Sequence, residues 1–247
     1  MANAGRIEKE NRIMSIFSRL ALGTANFGKE YNGVKVSEDE QKRILDYCQC
    51  SGIDMIDTAV SYEWDWSNIS TYFEVVTKGD GDDKFPRKPY GYLAHTGIIW
   101  ERFWEKVLSL KTFKVGVSAY EPKDIPSCNE HKPDIIQVPY SIFDRRFESY
   151  FPVWELNEIE IHVRSIFLRG KILERFKPWE CIAFCLSNPY IDRIIIGVDS
   201  YQQLKDNLRI FHRWESSGVE DENVLDPRKW GTTCYDNRGN IVSEKEK

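Results

Sequence analysis

The chain lacks any apolar run near the roughly 20 residues that a bilayer-spanning helix needs, which excludes such a helix. Basic residues are not in excess: 34 Lys and Arg stand against 39 Asp and Glu, a formal net charge of -5. That balance offers no general attraction to nucleic acid or to an anionic membrane surface, and neither is expected as a partner. Cysteine is sparse. Cys48, Cys50, Cys128, Cys181, Cys185 and Cys234 show neither the close pairs of a zinc site nor the density of a disulfide framework. They read as reduced, buried or half-buried thiols, and no metal is expected. Internal repeats and low-complexity segments are missing too. The segment from Met1 to Ser18 carries charge but no apolar core of signal-peptide length. Residues 1–18 are therefore expected to form a disordered extension, and the protein to be cytoplasmic.

What is present suits a sizeable α/β domain. A length of 247 residues, 41% hydrophobic content, 13% aromatic content and eight Trp supply a substantial core, and α/β barrels commonly run to this length as one unit. Short apolar runs lie at Leu20–Gly23, Ile53–Asp57, Phe73–Thr77, Gly91–Ala94, Lys114–Val117, Ile135–Val138, Glu160–Arg164 and Arg193–Gly197. Helical patterns alternate with several of them. Ser37 and Glu40 make an S-x-x-E helix start, Ile44, Leu45 and Cys48 give its apolar face, and Gly52 closes it. Further helical periodicity covers Ile99–Leu110, Trp179–Leu186 and Tyr201–Trp214. Near-continuous apolar strands alternating with helices predict a parallel sheet, and eight of them predict a closed (β/α)8 TIM barrel over residues 19–214. Ten residues separate Tyr62 from Phe73 and twelve separate Lys78 from Gly91, whereas a parallel crossover takes about a dozen or more. The helix after the second strand is thus expected to be shortened to a turn or two, and the helix after the third to be missing. Such trimming would leave apolar barrel surface exposed, which suits a homo-oligomer or a partner interface. Residues 215–247 read as a polar tail whose Trp230 or Tyr235 could fold over the barrel mouth.

In a parallel barrel, functional groups collect at the C-terminal ends of the strands. Read in order, those ends carry Asp57, with Tyr62 in the following loop, then Lys78, His95, Ser118 and Gln137. The first four make a coherent proton-transfer set. An unperturbed tyrosine, titrating near ~10, is a poor acid at neutral pH. A lysine cation beside it would stabilise the phenolate and lower that value, and an aspartate would hold the lysine charged. His95 would orient a carbonyl or share the proton. Each residue alone also has a structural explanation, Lys78 as a solvated loop lysine and His95 as a satisfied buried histidine.

The segments LALGTANFGKEYNG, GIDMIDTAVSYE, VVTKGD, YLAH, VGVSAYEP, IIQVPYSIFDRR, HVRSIFLRG and IIIGVDSYQQLKDN follow one another across roughly residues 19–211. In order and chemistry the chain resembles the aldo/keto reductase family, in particular its short bacterial members. The resemblance implies a (β/α)8 barrel that uses NADPH or NADH to reduce a small aldehyde, ketone or sugar-like carbonyl substrate. It implies Tyr62 as general acid, completed by Asp57, Lys78 and His95. It also implies cofactor contacts from Gly23, Thr24, Ser118, Gln137, Ser165 and Gly197, with Ser118 and Gln137 on the nicotinamide carboxamide. Ala119 stands where the family usually has Asn, and Arg164 where it usually has the aromatic residue that stacks on the nicotinamide; a planar guanidinium can stack in its place. Ser200, Gln203, Asp206 and Asn207 match the adenosine end, Ser200 with Gln203 making a helix cap that leaves N–H groups facing a phosphate. Gln203 replaces a frequent Arg and Asp199 lies close by, which opens the site to NADH. Trp64 and Trp100 follow the second and fourth strands and could wall a substrate pocket or belong to the core. The alternative function is a non-catalytic or regulatory barrel of this type that binds cofactor, a protein partner or both. A degenerate barrel that binds no nucleotide is the third reading.

Overall fold

Eight parallel strands close on one another in sequence order, β1 to β8, and β1 pairs with both β2 and β8. The structure is a computed structural model that describes residues 16–31, 33–69, 71–85, 87–107, 113–126, 131–217, 233–235 and 241–244. The strands are β1 Leu20–Gly23, β2 Met55–Asp57, β3 Glu74–Gly79, β4 Gly91–Ala94, β5 Lys114–Ser118, β6 Ile135–Pro139, β7 Glu160–Arg164 and β8 Arg193–Gly197. Between them stand helices α1 Glu38–Ser51, α2 Trp100–Val107, α3 Phe151–Leu156, α4 Pro178–Leu186 and α5 Tyr201–Ser217. An antiparallel hairpin, β9 Thr233–Tyr235 with β10 Ile241–Glu244, lies in the tail. Trp230 falls outside the described residues. Among the described residues no helix is long and apolar enough to cross a membrane.

The barrel is the one expected, and its alternating strand pattern explains why it closes. Residues at one parity face inward: Ala21, Met55, Val76, Leu93, Ile135 and Ile195 make a separate apolar cluster at mid-height. Residues at the other parity, such as Leu22, Ile56, Val117, Ile136, Val163 and Ile196, join the outer core beneath the helices. Below the inner cluster lies a polar floor. Glu160 accepts from Tyr90 at 2.7 Å and from Lys114, and His162 lies 3.4 Å away. Arg193 bridges Glu74 at 3.4 Å and Asp54 at 3.5 Å.

α1 is capped as its sequence predicts, with the Ser37 hydroxyl accepting from the Glu40 N–H at 3.4 Å and Gly52 ending it at φ 83°. After β2 there is one 3-10 turn, Val60–Tyr62, and between β3 and β4 no helix among the described residues. The trimming leaves Val60 and Tyr72 exposed in the connection after β2, but the strands themselves are covered. The outward residues Ile56 and Val75 are buried in one core with Trp66 and Phe73, and Ile69 and Phe85 pack against it. Loop aromatics thus replace the missing helices. Of the start expected to be disordered, residues 16–18 are described and are ordered: Ile16–Arg19 is a 3-10 turn whose Ile16 and Phe17 are buried in the outer core. Arg19 then donates to the carbonyls of Leu186, Asn188 and Ile191 at 2.8, 3.0 and 2.8 Å, tying the end of α4 to the start of β1. Helix α3 was not anticipated, since a helix of six residues with Pro152 near its start shows too little periodicity.

Candidate active site

At the C-terminal rim each strand offers one inward position. In chain order these are Gly23, Asp57, Lys78, His95 just beyond β4, Ser118, Gln137, Arg164 and Gly197. The sequence-predicted groups therefore meet on one ring because each continues the inward parity of its strand. Lys78 belongs to β3 itself rather than to the loop after it. Its Nζ lies 2.7 Å from both Asp57 carboxylate oxygens, with the two side chains 3% and 8% exposed. Gln137 Nε2 donates to the same carboxylate at 2.7 Å, and the Ser118 hydroxyl donates to Gln137 Oε1 at 3.2 Å. The reading of Lys78 as a solvated loop residue is thereby excluded.

Tyr62 stands over this ion pair. Its ring centroid is 5.7 Å from Lys78 Nζ and 6.4 Å from the His95 ring, which it meets edge-on. Among the described residues its hydroxyl makes no hydrogen bond to either. Burial pushes the Tyr62 phenol well above its ordinary value, and the charge of Asp57 adds to that. The sequence-based expectation of a lowered value is overturned. Lys78 faces two carboxylate oxygens of Asp57, so its charge is largely cancelled at the phenol, and desolvation of the phenolate wins. His95 is held below its ordinary value by burial first and by the Lys78 charge second, so its imidazole is neutral near pH 7. Lys78 is likewise lowered by burial, against the pull of Asp57.

The Tyr62 turn is placed by the loop that follows β1. The Thr24 N–H and hydroxyl bond the Asp57 carbonyl at 3.0 and 3.2 Å. Gly28 lies so close that a Cβ there would sit 2.1 Å from the Tyr62 carbonyl oxygen. Gln41 of α1 donates to the Phe27 and Val36 carbonyls at 2.8 and 2.9 Å and accepts from the Trp64 indole N–H at 3.0 Å. Such a polar residue within the apolar stripe of α1 was the available signal for this tie, and reading the stripe alone missed it.

Solved structures similar to this one include aldo-keto reductases. A candidate aldo-keto reductase from Pseudomonas aeruginosa is 17% identical, with a TM-score of 0.65 over 79% of this chain and 90% of that one. The holo form of an aldo-keto reductase from Bacillus halodurans is 18% identical, with a TM-score of 0.63 over 90% of this chain and 95% of that one. The fold is that of the aldo-keto reductases. A mutant of Gox0644 in complex with NADPH is also similar, at 14% identity and a TM-score of 0.60 over 85% of this chain and 89% of that one. No protein-family model and no curated protein matches the chain.

Within this barrel the residues expected at the cofactor fall into three groups. Gly23 and Gly197 pair in register on β1 and β8. A Cβ on Gly197 would meet nothing within 4 Å, whereas one on Gly23 would sit 3.1 Å from the Ile195 side chain, so the open space of this arc lies at Gly197. Arg164 closes the arc on the β7 side. Its guanidinium donates to the Ser118 hydroxyl at 3.3 Å and the Ala119 carbonyl at 3.1 Å, and it stacks 4.1 Å over the Tyr120 ring. It also donates to Ser165 at 3.4 Å, a residue held at φ 60°. Thr24 is fully buried with its hydroxyl on Asp57, and so supports the aspartate rather than offering itself to a ligand. At the far end Ser200 caps α5, its hydroxyl accepting from the Gln203 N–H at 3.1 Å, while Asn207 is buried and Asp206 exposed.

Trp64 and Trp100, for which pocket wall and core were both open, pack in or against the core. Trp64 packs edge-on to Phe27 at 5.0 Å and bonds Gln41, so it anchors the Tyr62 loop instead of walling a pocket. Trp100 is 2% exposed among Phe103 and Trp104, in the core beneath α2. It borders a surface hollow of about 280 Å³ with Ile98, Lys123 and Ile125, which none of Asp57, Tyr62, Lys78 or His95 lines. Tyr31 and Tyr120 were missed by the sequence reading, although both lie near Arg164 and Tyr62.

Proposed function

We propose that this chain is an NAD(P)H-dependent aldo-keto reductase acting on the carbonyl of a small aldehyde, ketone or sugar-like substrate, with Tyr62 as the general acid. The observation that carries this reading is the buried Asp57–Lys78 pair beneath Tyr62, with His95 across from it. Two rim residues suit a nicotinamide cofactor: Gly197, where a Cβ would meet nothing within 4 Å, and Arg164, whose planar guanidinium can stack; Ser118 and Gln137 are buried and bond one another, so their contact with a carboxamide would require them to exchange partners. A nicotinamide bound there would supply hydride to the carbonyl carbon. The protein's own part is the proton. A phenol raised above its ordinary value stays protonated across the neutral range but is a weaker acid than an unperturbed tyrosine, so its donation depends on the negative charge that develops on the substrate oxygen. The neutral His95 can donate a hydrogen bond to that oxygen without competing as an acid.

Cofactor oxidation followed at 340 nm with a panel of aldehydes tests this. Tyr62→Phe is expected to lower kcat by about 10² to 10⁴, and equal rates in the two proteins would remove Tyr62 from the mechanism. The unbonded Tyr62 hydroxyl favours a second reading, a barrel that binds cofactor without turnover. Saturable cofactor binding with no oxidation on any carbonyl would select it.

A further inference from the structure

The rim of the barrel carries more positive charge than its carboxylate balances. Among its inward positions Asp57 is the one acid, against Lys78 and Arg164, and Lys78 already holds both Asp57 oxygens at 2.7 Å. Arg164 has no carboxylate partner among the described residues. A guanidinium has five N–H groups. Those of Arg164 donate once each to Ser118, Ser165 and the Ala119 carbonyl, which leaves two without a partner among the described residues. A half-buried cation with no counter-ion is costly, and burial accordingly lowers the Arg164 pKa against the pull of Tyr120 and Asp57.

A second unpaired guanidinium stands beside it. Arg169 makes no ion pair among the described residues and lies over the Tyr31 ring at 5.6 Å, as Arg164 lies over Tyr120 at 4.1 Å. Both rings are open to solvent, Tyr31 at 41% and Tyr120 at 50% exposure. The loop that presents the two arginines holds Ser165, Leu168 and Arg169 at φ 60°, 48° and 56°, conformations that cost a non-glycine residue energy and persist only where the surroundings impose them. The neighbouring carboxylates are engaged elsewhere or turned to solvent: Glu63 pairs with Lys29 at 3.8 Å, Glu121 pairs with Arg146 at 2.8 Å, and Glu30 is exposed.

We propose that the carbonyl substrate of this barrel carries a carboxylate, received by Arg164 and Arg169 at the tyrosine-lined mouth. The inference rests on the reductase reading given above and names the substrate class of that site. A reduced nicotinamide ring is uncharged, so it leaves the surplus charge in place. A carboxylate supplies one negative charge and two acceptor oxygens that match the fork of a guanidinium. The Arg164 charge acts on both Tyr62 and His95, so a short molecule can meet the arginine with its carboxylate and the tyrosine with its carbonyl. The exposed Tyr31 and Tyr120 rings suit a flat, apolar body between those two groups.

The test compares 4-carboxybenzaldehyde with its uncharged methyl ester as substrates of the full chain. The ester group withdraws electrons more strongly, so intrinsic reactivity favours the ester and a preference for the acid has to come from the protein. kcat/KM is expected to be at least about 10-fold higher for the acid, with the gap closing at high salt. Arg164→Gln and Arg169→Gln are each expected to lower the acid-to-ester ratio about 10-fold. Both aldehydes share one cofactor site, so any harm that Arg164→Gln does to cofactor binding or folding cancels in that ratio. A wild-type ratio of one or less overturns the inference and leaves the reductase reading intact, as does a ratio that both variants preserve. If no aldehyde is reduced, the reductase reading falls, and calorimetric titration with benzoate and benzamide decides the anion site. Saturable binding of benzoate alone, weakened at least about 10-fold in both variants, upholds it, and absence of benzoate binding overturns it.

Discussion

Lys78 has two oxygens of one carboxylate at 2.7 Å and almost no contact with solvent. Such a pair contributes less by its own attraction than it costs when one member is removed, because the remaining charge stays buried. Lys78→Met leaves Asp57 with only the Gln137 amide and is expected to lower the unfolding free energy by about 3–5 kcal/mol in a urea titration. Adding Asp57→Asn should restore much of that loss, which a merely mispacked methionine would not allow. The identity of these residues was legible in the sequence because strand parity fixes which side chain reaches the rim. Their electrostatics were not. Whether the lysine or the desolvation governs Tyr62 depends on where the lysine's counter-charge sits, and no spacing rule carries that distance.

At the scale of elements, the weak point of the sequence reading was the pair of short connections after β2 and β3. They are short, yet Tyr62 is held. The loop after β1 reaches across to it through Thr24, Gly28 and the Phe27–Trp64 contact, and α1 locks that loop through Gln41. Gly28→Ala would place a methyl 2.1 Å from the Tyr62 carbonyl oxygen, with two Glu63 backbone atoms within 2.5 Å, so the backbones must part. The expected result is a loss of kcat of at least about 10-fold, with a stability cost of about 1–3 kcal/mol from the overpacked contact. Intact kcat in a folded Gly28→Ala protein would show that the Tyr62 turn is held elsewhere. The strands and the long helices were legible from period and caps. The ties between loops were not, since Arg19 and Gln41 act on partners far along the chain and leave no local pattern. Helix α3 escaped for the opposite reason, being too short to show a period.

For the whole molecule, acid response follows from groups at the two ends of the barrel. His95 at the rim is lowered by burial, so its neutral form favours the folded state. Its contribution is complete above the unfolded value near ~6.5 and is lost as pH falls through the folded value. On the floor, burial would raise Glu160, but the His162 ring 3.4 Å away and hydrogen bonds from Lys114 and Tyr90 outweigh it and bring it down to about 2. That contribution is present above the ordinary carboxylate range near ~4.3 and disappears as pH approaches the folded value. Urea midpoints measured against pH should therefore decline in two stages. Glu160→Gln should remove the lower stage and leave the upper one, and an unaltered profile would show that the floor does not set acid stability.

The loop of residues 24–28 also touches the other side of the barrel seam, because Asn26 donates to the Val198 carbonyl at 3.2 Å and to Asp199 at 2.8 Å. One short stretch of chain is therefore the common mount for the turn after β8 and for the tyrosine after β2. Within the proposed function, the two ends of an enzyme usually treated as separate, the grip on the nucleotide and the aim of the proton, share a single hinge point. A change that moves Asn26 will register at both, and a tightening at one will be felt as alignment at the other.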